Sequence, residues 1–317
     1  MPLVSVVMLS YNHEKFLPEA IESVLNQDFD NFELIIVDDA STDSSRHIIQ
    51  EYAEKDARVR VILHKKNCGI AKTANDGFAA ATGKFLADIA SDDLWMKEKL
   101  STQLAVLESN DDLVVWSEGE VIDEMGKPIG SSFSGRTGGN VSRRKSGDIF
   151  RELSHDGGLI FQSTVLVKRA NLNGMRFDES LVYANDWKFY LDLAAKYEFY
   201  YIPEPLARYR IHPSNAWGVK GPEGPNWRIG CQDQILVRQY LLKRYPHLMS
   251  AEDKAIELER IGRLYFALGQ NKEAVMYFFR AFACAPLRRS NLQYPQRFLR
   301  LTRRVLTPKS SYRHPDS

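Results

Sequence analysis

Apolar residues in the first third of the chain fall into short β-branched runs, each followed by a segment whose apolar positions recur at helical spacing. Residues 4–9 form the first run, and a helical pattern follows over about 14–26. The alternation continues with a run at 34–37 and a helix at 44–54, a run at 59–63 and a helix at 70–81, and a run at 85–89 and a helix at 97–108. A further strand opens at 113–116. Strand and helix alternating at this spacing predict an α/β fold with a mainly parallel central sheet and helices on both faces. Such sheets bind ligands beyond the carboxyl ends of their strands, so the residues just after each run are the candidates for chemistry.

Those residues are polar and acidic. The first run delivers Ser10, Tyr11 and Asn12, the second delivers Asp38, Asp39 and the polar residues up to Asp43, and the fourth delivers Ser91, Asp92 and Asp93. Any one Ser, Thr or Asp here can cap the helix that follows it. Adjacent acids are harder to explain that way, because Asp38, Asp39, Asp92 and Asp93 at one edge repel, and a divalent cation or a set of donors relieves the repulsion. Farther on, Asp186 opens a helical pattern in which Trp187, Tyr190, Leu191 and Ala194 face a core, which makes it a helix cap or a functional acid. Residues 131–146 are rich in Gly, Ser and Arg and lack an apolar period, which predicts a mobile loop; Arg143, Arg144 and Lys145 within it suit an anionic glycan or lipid phosphate. Gly157, Gly158 and Gln162 precede a strand reaching Val167.

Five segments in order resemble the family 2 glycosyltransferases, inverting enzymes of the GT-A fold. They are Val4-Ser-Val-Val-Met-Leu-Ser-Tyr-Asn, Glu33-Leu-Ile-Ile-Val-Asp-Asp-Ala-Ser-Thr-Asp, Asn67-Cys-Gly-Ile-Ala-Lys-Thr-Ala-Asn, Ser91-Asp-Asp-Leu-Trp and Asn185-Asp-Trp-Lys-Phe-Tyr-Leu-Asp-Leu-Ala. The resemblance covers roughly residues 3–215 and implies transfer of a sugar from a nucleotide diphosphate, UDP foremost, to an acceptor hydroxyl. It implies Tyr11 stacked on the nucleobase with Ser10 beside it, Asp39 accepting from a ring N–H, Asp92 near the ribose, and Asp93 holding Mn²⁺ or Mg²⁺ against the diphosphate. Asp186 is then the base that takes the acceptor proton. Two departures bear on these roles. The acid that usually stands two residues before Asp92 is Ala90, and the acid that often precedes the base is Asn185, which points to altered acceptor contacts or an altered proton affinity of Asp186. Lys72 is a candidate partner for a phosphate. Arg208, Arg210 and His212 follow a strand-like run, His212 as a candidate metal ligand and either arginine as a candidate diphosphate partner.

Composition narrows the classes. The chain has 317 residues, 26% of them charged, with a formal net charge of +1, which points away from nucleic acid as a partner. Residues 287–317 carry net +7, so residues 1–286 carry −6. Cys68, Cys231 and Cys284 are too scattered for a zinc or disulfide framework and read as reduced thiols. No apolar stretch approaches the roughly 20 residues of a membrane span, so the expectation is a soluble, cytoplasmic protein. The domains expected are a GT-A catalytic domain over 1–217, with a donor half at 1–110 and an acceptor half at 111–217, and a helical extension over 218–317. Glycine and proline break regular structure near 217–227, residues 251–286 resemble one tetratricopeptide-type hairpin, and the arginine-rich tail suits peripheral contact with the inner face of a membrane. The acceptor class implied is a glycan or lipid-linked sugar, in bacterial surface polysaccharide or glycolipid synthesis. The competing functions are a catalytically silent sugar-nucleotide binder and a scaffold working through the hairpin. A nicotinamide-type enzyme is disfavoured, because the first strand runs into Ser-Tyr-Asn-His without a glycine-rich turn.

Overall fold

Strand β1 (Val4–Ser10) is buried along its whole length. It lies between β2 (Phe32–Asp38) and β4 (Phe85–Ala90) and runs parallel to both, and a strand covered on both faces reads as a continuous apolar run. The computed structural model describes residues 1–133, 146–215 and 226–286. The remaining strands are β3 (Val59–Leu63), β5 (Leu94–Trp95), β6 (Val114–Ile122), β7 (Pro128–Ser132), β8 (Leu166–Lys168) and β9 (Phe199–Arg210). Among the described residues they form one nine-stranded sheet in the order β3-β2-β1-β4-β8-β6-β9-β5, with β7 paired to β6. β1 to β4 are mutually parallel, and β6 and β9 are parallel to each other. β8 pairs antiparallel with β4 on one side and β6 on the other, and so joins the two parallel groups.

Helices follow where the spacing places them. α1 (Leu17–Leu25) carries Pro18 at its start, which presets the first turn, and buries Leu17, Ala20, Ile21 and Val24 as one stripe. α2 (Ser45–Lys55), α3 (Ile70–Ala80) and α4 (Lys99–Ser109) complete the first half. α3 approaches the sheet so closely that a Cβ on Gly77 would lie 2.3 Å from Val7 Cγ1. In the second half stand α5 (Phe150–His155), α6 (Arg169–Leu172) and α7 (Asn185–Ala194).

Residues 162–164 form a hub at the junction of the two strand groups. Gln162 donates to the Asp88 carboxylate, Ser163 Oγ donates to Asp93 at 2.7 Å, and Thr164 O accepts from Gln103 at 2.7 Å. The opposite, amino-terminal edge is clipped by buried Glu33, which accepts from Ser5 Oγ at 2.6 Å, Thr82 N at 2.8 Å, Thr82 Oγ1 at 2.6 Å and the Arg60 guanidinium. Burial opposes the charge there, but these donors hold Glu33 down at about 2.

The chain divides into two compact units, Met1–Val219 and Lys220–Ser317. Described residues of the second are helical: α8 (Trp227–Arg244), α9 (Ala251–Ala267) and α10 (Asn271–Cys284). Ser250 caps α9 by accepting from Asp253 N at 3.0 Å. Ile235, Leu258, Ile261, Tyr277 and Ala281 make this unit's apolar centre, and the buried Arg238 guanidinium pairs with Glu257 beside it. No helix of the described residues is long and apolar enough to cross a membrane. The arginine-bearing loop expected at 131–146 lies mostly outside the described residues, as do the break expected near 217–227 and the basic tail at 287–317.

Candidate active site

Register aligns the strand ends. Ser10 stands opposite Asp38, and Leu9 opposite Ala90, so the loops after β1, β2 and β4 leave the sheet side by side. The first two are laced together: Asn12 N donates to Ser41 Oγ at 2.9 Å, Thr42 N donates to Asn12 Oδ1 at 2.8 Å, and Glu14 N donates to Asp43 Oδ2 at 3.0 Å. Asn12 and Ala40 hold positive φ of 53° and 64°; for Ala40, which lacks a side chain that bonds locally, that conformation is strained. The lacing thus fixes a backbone that the residues alone disfavour. Tyr11 is left 45% exposed at the rim, free to offer its face. Ser10 Oγ and Asp38 Oδ2, on adjacent strand ends, are buried without a hydrogen-bond partner.

Asp39 is turned inward. It is buried, and its carboxylate accepts from Cys68 N and Gly69 N, each at 2.8 Å, and meets His64 Nδ1 at 2.8 Å. The other ring nitrogen of His64 lies 3.1 Å from Asp76 Oδ2, and Asp76 pairs with the Lys72 ammonium. Lys72, expected at a phosphate, is therefore tied one helical turn along its own helix to Asp76. That pairing raises its proton affinity.

The second cluster forms where the end of β4 meets the end of β9. Asp92 Oδ2 lies 3.0 Å from His212 Nε2, 3.3 Å from Asn215 Nδ2 and 3.9 Å from His13 Nε2. His13, His212 and Asp92 each offer one ligating atom, all within 4.8 Å of one another, a spacing suited to a metal ion. Burial lowers the proton affinity of His13, which favours the neutral imidazole that a cation requires. The carboxylate in this set is Asp92, whereas the sequence pattern puts Asp93 there. Asp93 is buried, accepts from Ser163 Oγ at 2.7 Å and Arg210 N at 3.2 Å, and is pushed well up in pKa by burial and the neighbouring Asp92 charge. Arg210, a candidate for the diphosphate, is 1% exposed and donates to Asp92 O, Glu124 O and Glu19. Arg208 donates to Glu120 at 2.8 Å. Both arginines brace the framework.

Asp186 lies in the first turn of α7, accepting from Trp187 N at 2.6 Å. Trp187 is anchored by donation from Nε1 to Leu153 O at 2.8 Å and by Gly157, where a Cβ would lie 2.7 Å from the indole. Burial pushes Asp186 up to about 6, with its backbone hydrogen bonds partly offsetting the rise. Its charge also reaches Asp88, raised to about 7 by burial and beside the buried Lys99, itself lowered to about 7 by burial. Asn185 is buried and donates to Val182 O at 3.2 Å, which makes it a brace of the turn. His13 and His64 escape the sequence reading although each directly follows a strand-end segment, the place where the acids were sought.

A buried acid of raised proton affinity lies in the first turn of α7, and donors spaced to hold a metal ion stand beyond the carboxyl ends of β1 and β4, where sheets of this kind place their ligands. Residues 5–167 match the family described as Glycosyl transferase family 2, and the chain belongs to that family. It is 32% identical over 248 residues to an uncharacterized glycosyltransferase of Methanocaldococcus jannaschii, covering 77% of this chain and 79% of the relative. Over 103 residues it is 43% identical to a Bacillus subtilis glycosyltransferase named for teichuronic acid biosynthesis, TuaG, covering 32% of this chain and 41% of the relative. The fold is similar to that of S. aureus TarS in complex with UDP-GlcNAc, with a TM-score of 0.63 and 20% identity over 93% of this chain and 92% of the other. The protein is a glycosyltransferase with the expected GT-A architecture.

Proposed function

We propose that this glycosyltransferase moves a sugar from a nucleotide diphosphate, with UDP the favoured base, to an acceptor hydroxyl by single displacement with inversion. The observation that carries the reading is the His13–Asp92–His212 set on the same sheet edge as Tyr11 and Asp39. Tyr11 supplies a face for the nucleobase, and the lone pair left on Asp39 accepts from its ring N–H. His13, Asp92 and His212 hold the divalent ion, with Asp93 available as a further ligand once a cation's charge favours its ionised form. Two imidazoles suit Mn²⁺ better than Mg²⁺. When bound, the ion neutralises charge developing on the diphosphate leaving group. Asp186, ionised at neutral pH yet raised to about 6, takes the acceptor proton as the hydroxyl attacks the anomeric carbon.

Under this reading Met1–Val219 is the catalytic unit, and α9 and α10 are a single tetratricopeptide-like hairpin. The named biosynthetic role of TuaG supports a surface polysaccharide or glycolipid as acceptor. The arginine-rich sequence of residues 287–317 supports work at the cytoplasmic face of a membrane. Thermal unfolding with UDP, dTDP, GDP and CDP, each with and without Mn²⁺, tests the donor site. A Mn²⁺-dependent rise with UDP supports it, and no rise with any nucleotide in either condition overturns it.

A further inference from the structure

The loop between β3 and α3 gathers a second donor set of different chemical character. Asp39, His64 and Cys68 each offer one ligating atom, and the three atoms lie within 4.8 Å of one another. Bonds of about 2.0–2.3 Å from a tetrahedral zinc ion place its donors about 3.3–3.8 Å apart, so the set closes on such an ion with movements of roughly 1 Å. The surroundings are those a ligating histidine needs. Asp76 meets His64 Nε2 at 3.1 Å while Nδ1 faces Asp39, and a carboxylate on the far nitrogen fixes the ring with its near nitrogen aimed at a cation. Lys72 in turn pairs with Asp76.

The loop backbone holds the other two donors in place. Cys68 N and Gly69 N both donate to Asp39 at 2.8 Å, which orients the carboxylate and draws the Cys68 side chain toward it. Gly69 makes the turn with a φ of 85°, a conformation open to glycine. The His64 and Asp39 side chains are only 10% and 5% exposed, whereas Cys68 is exposed, giving the site a shielded floor and an entrance from solvent.

We infer that Asp39, His64 and Cys68 form a second cation site, distinct from His13–Asp92–His212 and selective for a thiophilic divalent ion of the zinc class. Thiolate, imidazole and one carboxylate match zinc, whereas the His13 set contains no sulfur and suits a harder ion. On binding, the Cys68 thiol, now donating to Lys66 O at 3.3 Å, gives its proton to solvent. The ion replaces the contact between His64 Nδ1 and Asp39, and water fills the fourth position. One consequence rests on the proposed function: if Asp39 accepts from the nucleobase, an ion on Asp39 excludes the nucleotide.

Cobalt(II) titration of the full chain, read by absorption, tests the site. The expected result is a saturable sulfur-to-cobalt charge-transfer band with tetrahedral visible bands, bleached by Zn²⁺. Cys68→Ser abolishes the charge-transfer band, Asp76→Asn weakens Co²⁺ affinity about 10- to 100-fold, and His212→Ala leaves the band intact. An unchanged metal-free Tm in Cys68→Ser separates loss of a ligand from loss of fold, and Asp76→Asn, which retains the thiol, provides an independent check. Absence of the band in the wild type overturns the site, as does a band that survives Cys68→Ser and disappears in Cys284→Ser. Zn²⁺ that weakens UDP binding in the wild type and not in Cys68→Ser supports the exclusion. A cobalt band without any effect on UDP binding keeps the site and overturns the role of Asp39 at the nucleobase.

Discussion

Asp186 carries opposed demands on one carboxyl. Its folded pKa of about 6 lies above the ordinary 3.8, so the folded state bears the cost of an ionised carboxylate above about pH 6 and is relieved of it below about pH 4. Asp186→Asn is therefore expected to abolish transfer while raising stability at pH 7–8 by up to about 3 kcal/mol, a gain that vanishes near pH 4; thermal melts across pH measure it. If Asp186 is the base, kcat/KM of the wild type is expected to fall as pH drops through about 6, which a pH–rate profile measures. A variant that transfers sugar normally rules out the role as base. At the proposed metal ligands His13, Asp92 and His212, Asp92→Asn is expected to weaken Mn²⁺-dependent UDP binding about tenfold or more, read by titration calorimetry with and without the ion. The positions of Asp39 and Asp92 after strands and of Asp186 at a helix start were legible because acids repeated after apolar runs or opened a helical pattern. His13 and His64 were not legible, since a lone histidine carries no periodic signal, although both stand just after strand ends. The resemblance puts His212 at the metal with Asp93; that Asp92 is the acid it meets depends on how β9 returns beside the end of β4.

Among the elements, those with their own hydrophobic period were legible. β1 to β4 and α1 to α4 stand close to the positions read from spacing, with ends shifted by a few residues. β5 and β7 were not, because the 2 residues of Leu94–Trp95 and the sequence Pro-Ile-Gly-Ser-Ser of β7 carry no apolar period and are defined by pairing with β9 and β6. The antiparallel β8 likewise takes its direction from neighbours far away in the chain. Where elements meet, single residues decide the cost of change. Glu33 has a folded pKa of about 2 against an ordinary 4.5, so its contribution is complete above about pH 4.5 and is lost as pH falls through about 2. Glu33→Gln should cost about 1.5–3 kcal/mol at pH 7 in denaturant melts, and the deficit should shrink in acid as the wild type loses the same charge. Gly77→Ala inserts a methyl 2.3 Å from Val7 Cγ1 and should cost about 1–3 kcal/mol by overpacking where α3 meets β1.

At the scale of the whole molecule, the two units are stabilised by different means. The first is a sheet whose interior strands are covered on both faces, while the second is three helices around a small apolar centre with a charged pair at its edge. Glu257 is fully buried and accepts from both Arg238 and Arg260, whose guanidinium groups offset its desolvation. Removing a buried carboxylate while leaving its arginine inside costs about 3–5 kcal/mol, a loss that so small a centre cannot absorb. Glu257→Ala is therefore expected to unfold or loosen α8, α9 and α10 selectively. Native-state amide exchange should accelerate across 227–284 and stay slow in β1, β2 and β4, with Mn²⁺-dependent stabilisation by UDP preserved in the first unit. Faster exchange in β1 together with the helices would show that the two units fold as one cooperative body. In that case the helical extension would be a condition for the catalytic sheet to form, which the sheet's own continuous core argues against.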